Sequence, residues 1–251
     1  FGYNTSLDDI SKADVLMFSD KMNERNFAAT TCNYLGSIFY QAQKYAHDRG
    51  KMVISPQRVP LRKLTKGRIR FLSQDEEYAA LNWYTQACYD DYKDLFLFYL
   101  ETGCRKSEGF DLQWNDVDLK TKRISIWMTK TNSPRTIKMT PIVHKILANL
   151  HFRRPNDQRD TDQVFAHISE RKFYRNWLEM RAAIGLEDDE QFVIHTLRHT
   201  CCTRLVSAGV DLRSVQEWMG HSSIDMTQRY AHFIPSKLDD AADALQRLRA
   251  G

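Results

Sequence analysis

Four short segments of this 251-residue chain set strong phosphate-binding or proton-transferring side chains beside turns. The first is Thr102-Gly103-Cys104-Arg105-Lys106-Ser107-Glu108, where Gly103 is expected to end one helix and leave Arg105 near the start of the next. The second is His195-Thr196-Leu197-Arg198-His199, with Thr196 expected as a helix N-cap and Arg198 in the first turn. The third is Gly220-His221-Ser222-Ser223, where Ser222 and Asp225 have the spacing of a capping box. The fourth is Thr227-Gln228-Arg229-Tyr230-Ala231-His232. A helix N-terminus presents unpaired N–H groups and a partial positive charge, which favours an anion. Arginine beside it suits phosphate, because its planar fork grips two oxygens at once. Together Arg105, Arg198, His195 and His221 could surround one phosphodiester. Singly, each has a plainer reading: arginines as ion-pair residues, histidines as caps, and Tyr230 as a core aromatic.

The elements that must position these segments are mostly helical. Ser11 can cap a helix to about Arg25, and Thr30 or Thr31 a second one closed near Gly50. Ser73 with Glu76 forms a capping box, and helix follows through Leu81 and Trp83 and again over about 92–101. Residues 123–128 alternate as a strand, with 135–139 as its hairpin partner and Lys130 in the turn between them. Further helices are expected near 141–151, 169–184, 197–208, 211–219, 223–231 and 236–249. The fold class expected is mainly α with a small antiparallel sheet.

Composition is that of an ordinary globular protein, with 42% hydrophobic and 27% charged residues. No apolar run approaches the roughly 20 residues of a membrane helix. The polar start Phe1–Asp9 lacks the pattern of a secretory signal, and a chain opening on Phe rather than Met is expected to be a fragment of something longer. Cys32, Cys88, Cys104, Cys201 and Cys202 form no C-x-x-C pair, so free thiols in a reducing compartment are expected rather than disulfides or zinc. Net charge is only +4, but Arg58, Arg62, Lys63, Lys66, Arg68 and Arg70 form a run without an acid. Such a run reads either as a solvated linker or as a phosphate-tracking one.

The order of the four segments closely resembles the tyrosine recombinases, the family of phage integrases and chromosome-dimer resolvases. The matching strings are Glu101 to Glu108 followed by Leu112, Trp114 and Asp116; Thr129-Lys130-Thr131 before Arg135; His195 to Thr200; and Met219 to Ser223 with Thr227, Tyr230 and His232. The resemblance implies an integrase-like catalytic domain over 72–251, a basic linker over 58–71 and a partial helical core-binding module over 1–57. It implies that Tyr230 is the nucleophile, attacking phosphorus to give a 3′-phosphotyrosyl bond and a free 5′-hydroxyl. Arg105 and Arg198 then match the clamp on the non-bridging oxygens, His221 a second phosphate donor, His195 the group that assists proton transfer at the tyrosine, and Lys130 the acid on the departing 5′-oxygen. His199, His232 and Glu108 match supporting positions, Glu108 holding an arginine or a helix end. No cofactor or metal is implied. The implied partners are double-stranded DNA sites, three further copies of the chain and accessory DNA-bending factors, in the cytoplasm of a bacterial cell or phage-infected host. After Glu108, Gly109 and Phe110 depart from the aliphatic residues usual there, which leaves local packing open. Integration or excision of a phage or mobile element is the first reading of the reaction. Resolvase, invertase, a topoisomerase that only relaxes DNA, and a DNA-binding protein without catalysis stay open.

Overall fold

A computed structural model describes residues 6–63, 69–128, 133–155 and 159–234. The chain divides into two compact units, Phe1–Arg68 and Ile69–Gly251. Lys66, Arg68, Lys130 and the helix expected over 236–249 lie outside the described residues. Among the described residues no helix is long and apolar enough to cross a membrane.

The first unit is built on α1 (Lys12–Glu24) and α2 (Ala29–Asp48). Ser11 caps α1 in a reciprocal box with Asp14. The expected threonine cap of α2 is not formed: the helix starts at Ala29, behind Ala28, without a side-chain bond. Ile10, Val15, Met22, Cys32 and Val59 make its small core. The chain after α2 folds back on that helix. The buried Gln43 accepts from the Gln57 amide at 2.7 Å, and Asn33 exchanges two bonds with the Arg62 backbone. The Arg58 guanidinium lies over the Tyr40 ring, and Arg62 donates to the Ser19 carbonyl. Residues 58–63, expected to form an open linker, therefore pack on the first unit. The physical reason is Val59, an apolar residue inside the basic run that finds a place in the core.

In the second unit the hub is α4 (Asp90–Thr102), which packs on α3 (Gln74–Gln86), α6 (Pro141–Phe152) and α8 (His195–Ser207). Its Leu95, Phe96, Phe98, Tyr99 and Leu100 are buried, and Phe96 stacks on Trp177 of α7 (Glu170–Ala183). The expected box between Ser73 and Glu76 is present at the start of α3. Arg70, expected in the linker, instead pairs with Glu76 and Asp189 at 2.6 and 2.7 Å, inside this unit.

The sheet is antiparallel, in the order β1 (Val117–Asp118), β2 (Arg123–Met128), β3 (Ser133–Lys138). Ile124 pairs with Ile137 and Ile126 with Arg135, so the buried face of the hairpin carries three aliphatic residues' worth of core and one arginine. The short α5 (Lys106–Phe110) sits against α4 because position 109 is glycine: a Cβ there would stand 2.6 Å from the Tyr99 ring. Tyr99 donates to the Lys106 carbonyl at 2.7 Å, and Phe110 packs its ring against Tyr99 and Phe173. The unusual Gly109-Phe110 pair is thus one aromatic cluster, with the bulk moved from position 109 to Tyr99. After α8 come α9 (Leu212–Met219) and α10 (Ile224–Gln228).

Candidate active site

The site is organised by the C-terminal end of α9. Gly220 closes that helix at φ +63°, and the amides of Gly220 and His221 turn back to the Glu217 and Gln216 carbonyls. Three consecutive carbonyls are left over, and each takes an arginine from a different segment. Arg135 Nε donates to Trp218 O at 2.8 Å, Arg198 Nη2 to Met219 O at 2.5 Å, and Arg105 Nη2 to Gly220 O at 3.3 Å. The carbonyl end of a helix carries partial negative charge, so it tolerates cations that would otherwise repel each other.

Arg105 stands at the N-cap position of α5. The Glu108 carboxylate accepts from its amide at 2.8 Å and its guanidinium at 2.6 Å, and from Arg135 Nη2 at 2.9 Å. Glu108 therefore fills both roles expected of it, arginine holder and helix-end partner. Burial by itself would raise the Glu108 carboxyl, but the bond and charge of Arg135, together with Arg105, bring it down to about 2. Arg198 is 4% exposed and its second nitrogen donates to Gly103 O at 2.5 Å. Burial and the neighbouring Arg105 and Arg135 lower it to about 10, which still leaves it charged at neutral pH. Arg105, with its side chain 37% exposed, is the member of the cluster open to solvent.

Gly103 must be glycine on two counts. It ends α4 at φ +62°, and a Cβ would stand 2.9 Å from Met219 Sδ and 3.0 Å from Cys201 Sγ. The turn that carries Arg105 and the carbonyl that holds Arg198 both depend on it.

Helix α8 begins at His195, earlier than expected, and Thr196 is not its N-cap. Residues 193–197 already make helical-turn bonds, so Thr196 lies inside the turn, where it donates to Gln191 O and accepts from the Val193 amide. The capping box expected between Ser222 and Asp225 is also absent: α10 starts one residue on, behind Ser223, and Ser222 Oγ faces Met226 Sδ.

His221 Nδ1 lies 2.8 Å from Thr227 Oγ1, and burial with the charges of Arg198, Arg105 and Arg135 pushes the imidazole down to about 3. His195 is lowered by burial and by Arg198 and Arg105. The histidine in contact with Tyr230 is His199, not His195: His199 Nδ1 is 2.5 Å from the phenol oxygen. His195 packs edge-on against the His199 ring with centroids 4.8 Å apart. Burial and His195 lower His199 to about 4, and burial raises the Tyr230 phenol, so at neutral pH both partners are uncharged. Tyr230 itself is 4% exposed, among Cys201, Cys202, Val206, Val215 and Met219.

The structure thus brings Arg105, Arg198, His195, His221 and Tyr230 into one region of the second unit, adds His199, and reveals Arg135. Sequence reasoning used Arg135 only as a landmark. The available signal was parity, since Arg135 shares the inward register of Ile137 and Met139, where alternation calls for an apolar residue.

The family model described as the phage integrase family matches residues 70–236. The integrase of Salmonella phage P22 is 29% identical over 184 residues, 70% of this chain and 46% of that protein. The tyrosine recombinase XerC of Corynebacterium glutamicum is 30% identical over 142 residues, 56% of this chain and 46% of that protein. The chain spans about half the length of these curated relatives. Among solved structures, the Tn1549 transposon integrase in complex with a circular intermediate DNA covers 96% of this chain and 86% of its own at 19% identity, with a TM-score of 0.75. The catalytic domain of bacteriophage HP1 integrase covers 70% of this chain and 95% of its own at 26% identity, with a TM-score of 0.53.

Proposed function

This chain belongs to the phage integrase family, and from that premise we propose that it is a tyrosine-type site-specific recombinase, acting in integration or excision of a phage or mobile element. The unit that ends at Arg68 is read as a partial core-binding module and the unit from Ile69 as the catalytic domain. Double-stranded DNA is the substrate and four copies act together on two duplexes. The DNA held by the Tn1549 integrase, and the integrase names among the relatives, support this choice.

In the proposed reaction the Tyr230 oxygen forms a bond to phosphorus as the bond from phosphorus to the 5′-oxygen breaks. The phenol proton passes to His199, the base in contact with it, while His195 packs behind that ring. Arg105, Arg198 and His221 stabilise the charge that develops on the non-bridging oxygens. Lys130 gives its proton to the leaving 5′-oxygen; this role rests on the sequence resemblance. The phosphotyrosyl ester keeps the bond energy, so a 5′-hydroxyl can reverse the step. A phenol buried among Cys201, Cys202 and Val206 must first turn outward, because attack needs the reacting atoms within about 3–3.5 Å.

The observation that carries this reading is the convergence of Arg105 and Arg198 on adjoining carbonyls, Gly220 and Met219, directly before His221. The test is covalent trapping. Nicked random-sequence duplexes are incubated with the protein, quenched with SDS, and the attached DNA is sequenced. Wild type is expected to form an adduct, and Tyr230→Phe to form none while still retaining DNA on a filter. An adduct with the phenylalanine variant sinks the assignment.

A further inference from the structure

We propose that Arg135 is a positioning residue for the phosphate site, holding Glu108 as a carboxylate so that Glu108 in turn fixes the guanidinium of Arg105. The inference rests on the recombinase reading above and adds a residue to it.

Three observations carry it. Arg135 and Glu108 are both buried, with side chains 7% and 3% exposed and a bond of 2.9 Å between them. A carboxylate taken out of water is costly unless it is paired and its lone pairs are filled. Glu108 meets that condition with two guanidinium groups and one amide, and Arg135 is the buried one of the two guanidiniums. Secondly, Arg135 ties three elements together: it sits on β3, bonds Glu108 of α5, and donates to Trp218 O at the end of α9. Thirdly, Arg135 occupies a core position of the hairpin, opposite Ile126, where an aliphatic residue would pack without any desolvation cost. Its Nη1 is buried and has no hydrogen-bond partner among the described residues. A buried charge held at such a place serves the groups it touches.

The charged and titratable groups around Glu108 are Arg105 at the start of α5, Arg135 of β3, Arg198 and His195 of α8, Cys104 of the preceding turn and Tyr99 of α4. With Arg135 gone, burial pulls the Glu108 carboxyl upward against Arg105 and the charge of Arg198, without the buried partner bonded to it. Once protonated, Glu108 loses an acceptor oxygen, and the Arg105 guanidinium loses its anchor.

The experiment measures adduct formation from pH 5 to pH 9, using a duplex recovered by the trapping described above, for wild type, Arg135→Gln, Glu108→Gln and the double variant. Arg135→Gln is expected to gain an acid-side inflection, with the rate falling by up to about tenfold per unit of pH below it, the limit for one titrating group. Wild type and Glu108→Gln should lack that inflection, and the double variant should lose it again, because the titrating group has been removed. A flat Arg135→Gln profile overturns the proposal, as does an inflection that survives in the double variant. Arg135→Met serves if the glutamine variant does not fold. If neither single variant folds, a restored melting transition on adding Glu108→Gln shows the same dependence, and no restoration overturns it. Failure of wild type to form any adduct instead sinks the recombinase reading.

Discussion

His199 Nδ1 stands 2.5 Å from the Tyr230 oxygen, although 31 residues separate them, and no other histidine makes a hydrogen bond to that phenol among the described residues. Because the imidazole is lowered to about 4, it is neutral at physiological pH and free to accept a proton. His199→Leu is therefore expected to slow adduct formation by roughly 10²-fold, the lower end of what a positioned base contributes. His199→Asn, which keeps an acceptor close to the Nδ1 position, should recover part of that loss. Equal rates for wild type and His199→Leu in a single-turnover assay return the proton to another group.

Glu108 should make stability depend on pH. Its carboxyl falls to about 2 in the folded chain, below the ordinary glutamate value near 4.3. A depressed carboxyl contributes stability that is complete above the unfolded value and is lost as pH falls toward the folded one. Glu108→Gln should cost about 3–5 kcal/mol at pH 7, since it leaves Arg135 buried without its partner. The gap to wild type should narrow steadily between pH 5 and pH 2. Denaturant titrations at pH 7 and pH 3 measure it, and a gap that stays constant contradicts the ion pair.

Gly103→Ala should be costly in a way no neighbouring substitution repairs. Trimming Met219 to alanine opens space for the new Cβ, but the backbone remains at φ +62°. A loss of about 1–3 kcal/mol is expected in thermal or denaturant melts. Adduct formation should fall with it, because the Gly103 carbonyl holds Arg198. A double variant Gly103→Ala/Met219→Ala that melts like wild type would show that the clash alone mattered.

Lys130 can be tested by changing the leaving group. Lys130→Ala should slow cleavage by roughly 10²–10⁴-fold with little loss of binding. Replacing the bridging 5′-oxygen with sulfur removes the need for an acid, so the alanine variant should then cleave at close to the wild-type rate. Arg198→Ala should gain nothing from sulfur, since the role proposed for its charge is at the non-bridging oxygens. Selective rescue of Lys138→Ala instead would make Lys138 the acid.

What the sequence disclosed follows the range of the interactions concerned. The boxes at Ser11 and Ser73 were readable because the cap and its partner are three residues apart. The Gly103 helix end was readable because glycine enters a left-handed turn more readily than any other residue type. The cap assigned to Thr196 failed because the turn before it, held by Gln191 and Val193, had already become helical. His195 and His199 lie one turn apart on the same face of α8, so periodicity alone cannot choose between them; a distant tyrosine does. The run 58–71 looked uniform as charge, yet Val59 draws its first part into one core and Arg70 pairs within the other unit. Arg135 was visible as a break in strand alternation, but its partners, Glu108 and Trp218, lie on other elements and could not be read from it.

The three arginines on the end of α9 also have a consequence for the timing of synthesis. Arg105 precedes the Gly220 carbonyl that receives it by 115 residues, and Arg198 precedes Met219 by 21. At roughly 5–20 residues per second, Arg105 is made about 6–23 s before its acceptor exists. A nascent chain that has reached only α8 therefore holds Arg105, Arg135 and Arg198 with no helix end to gather them. The bonds to Glu108 and to the Gly103 carbonyl have their partners by then, but the three bonds to the end of α9 close last, so a ribosome-bound intermediate carries the charges of the site with only part of its geometry.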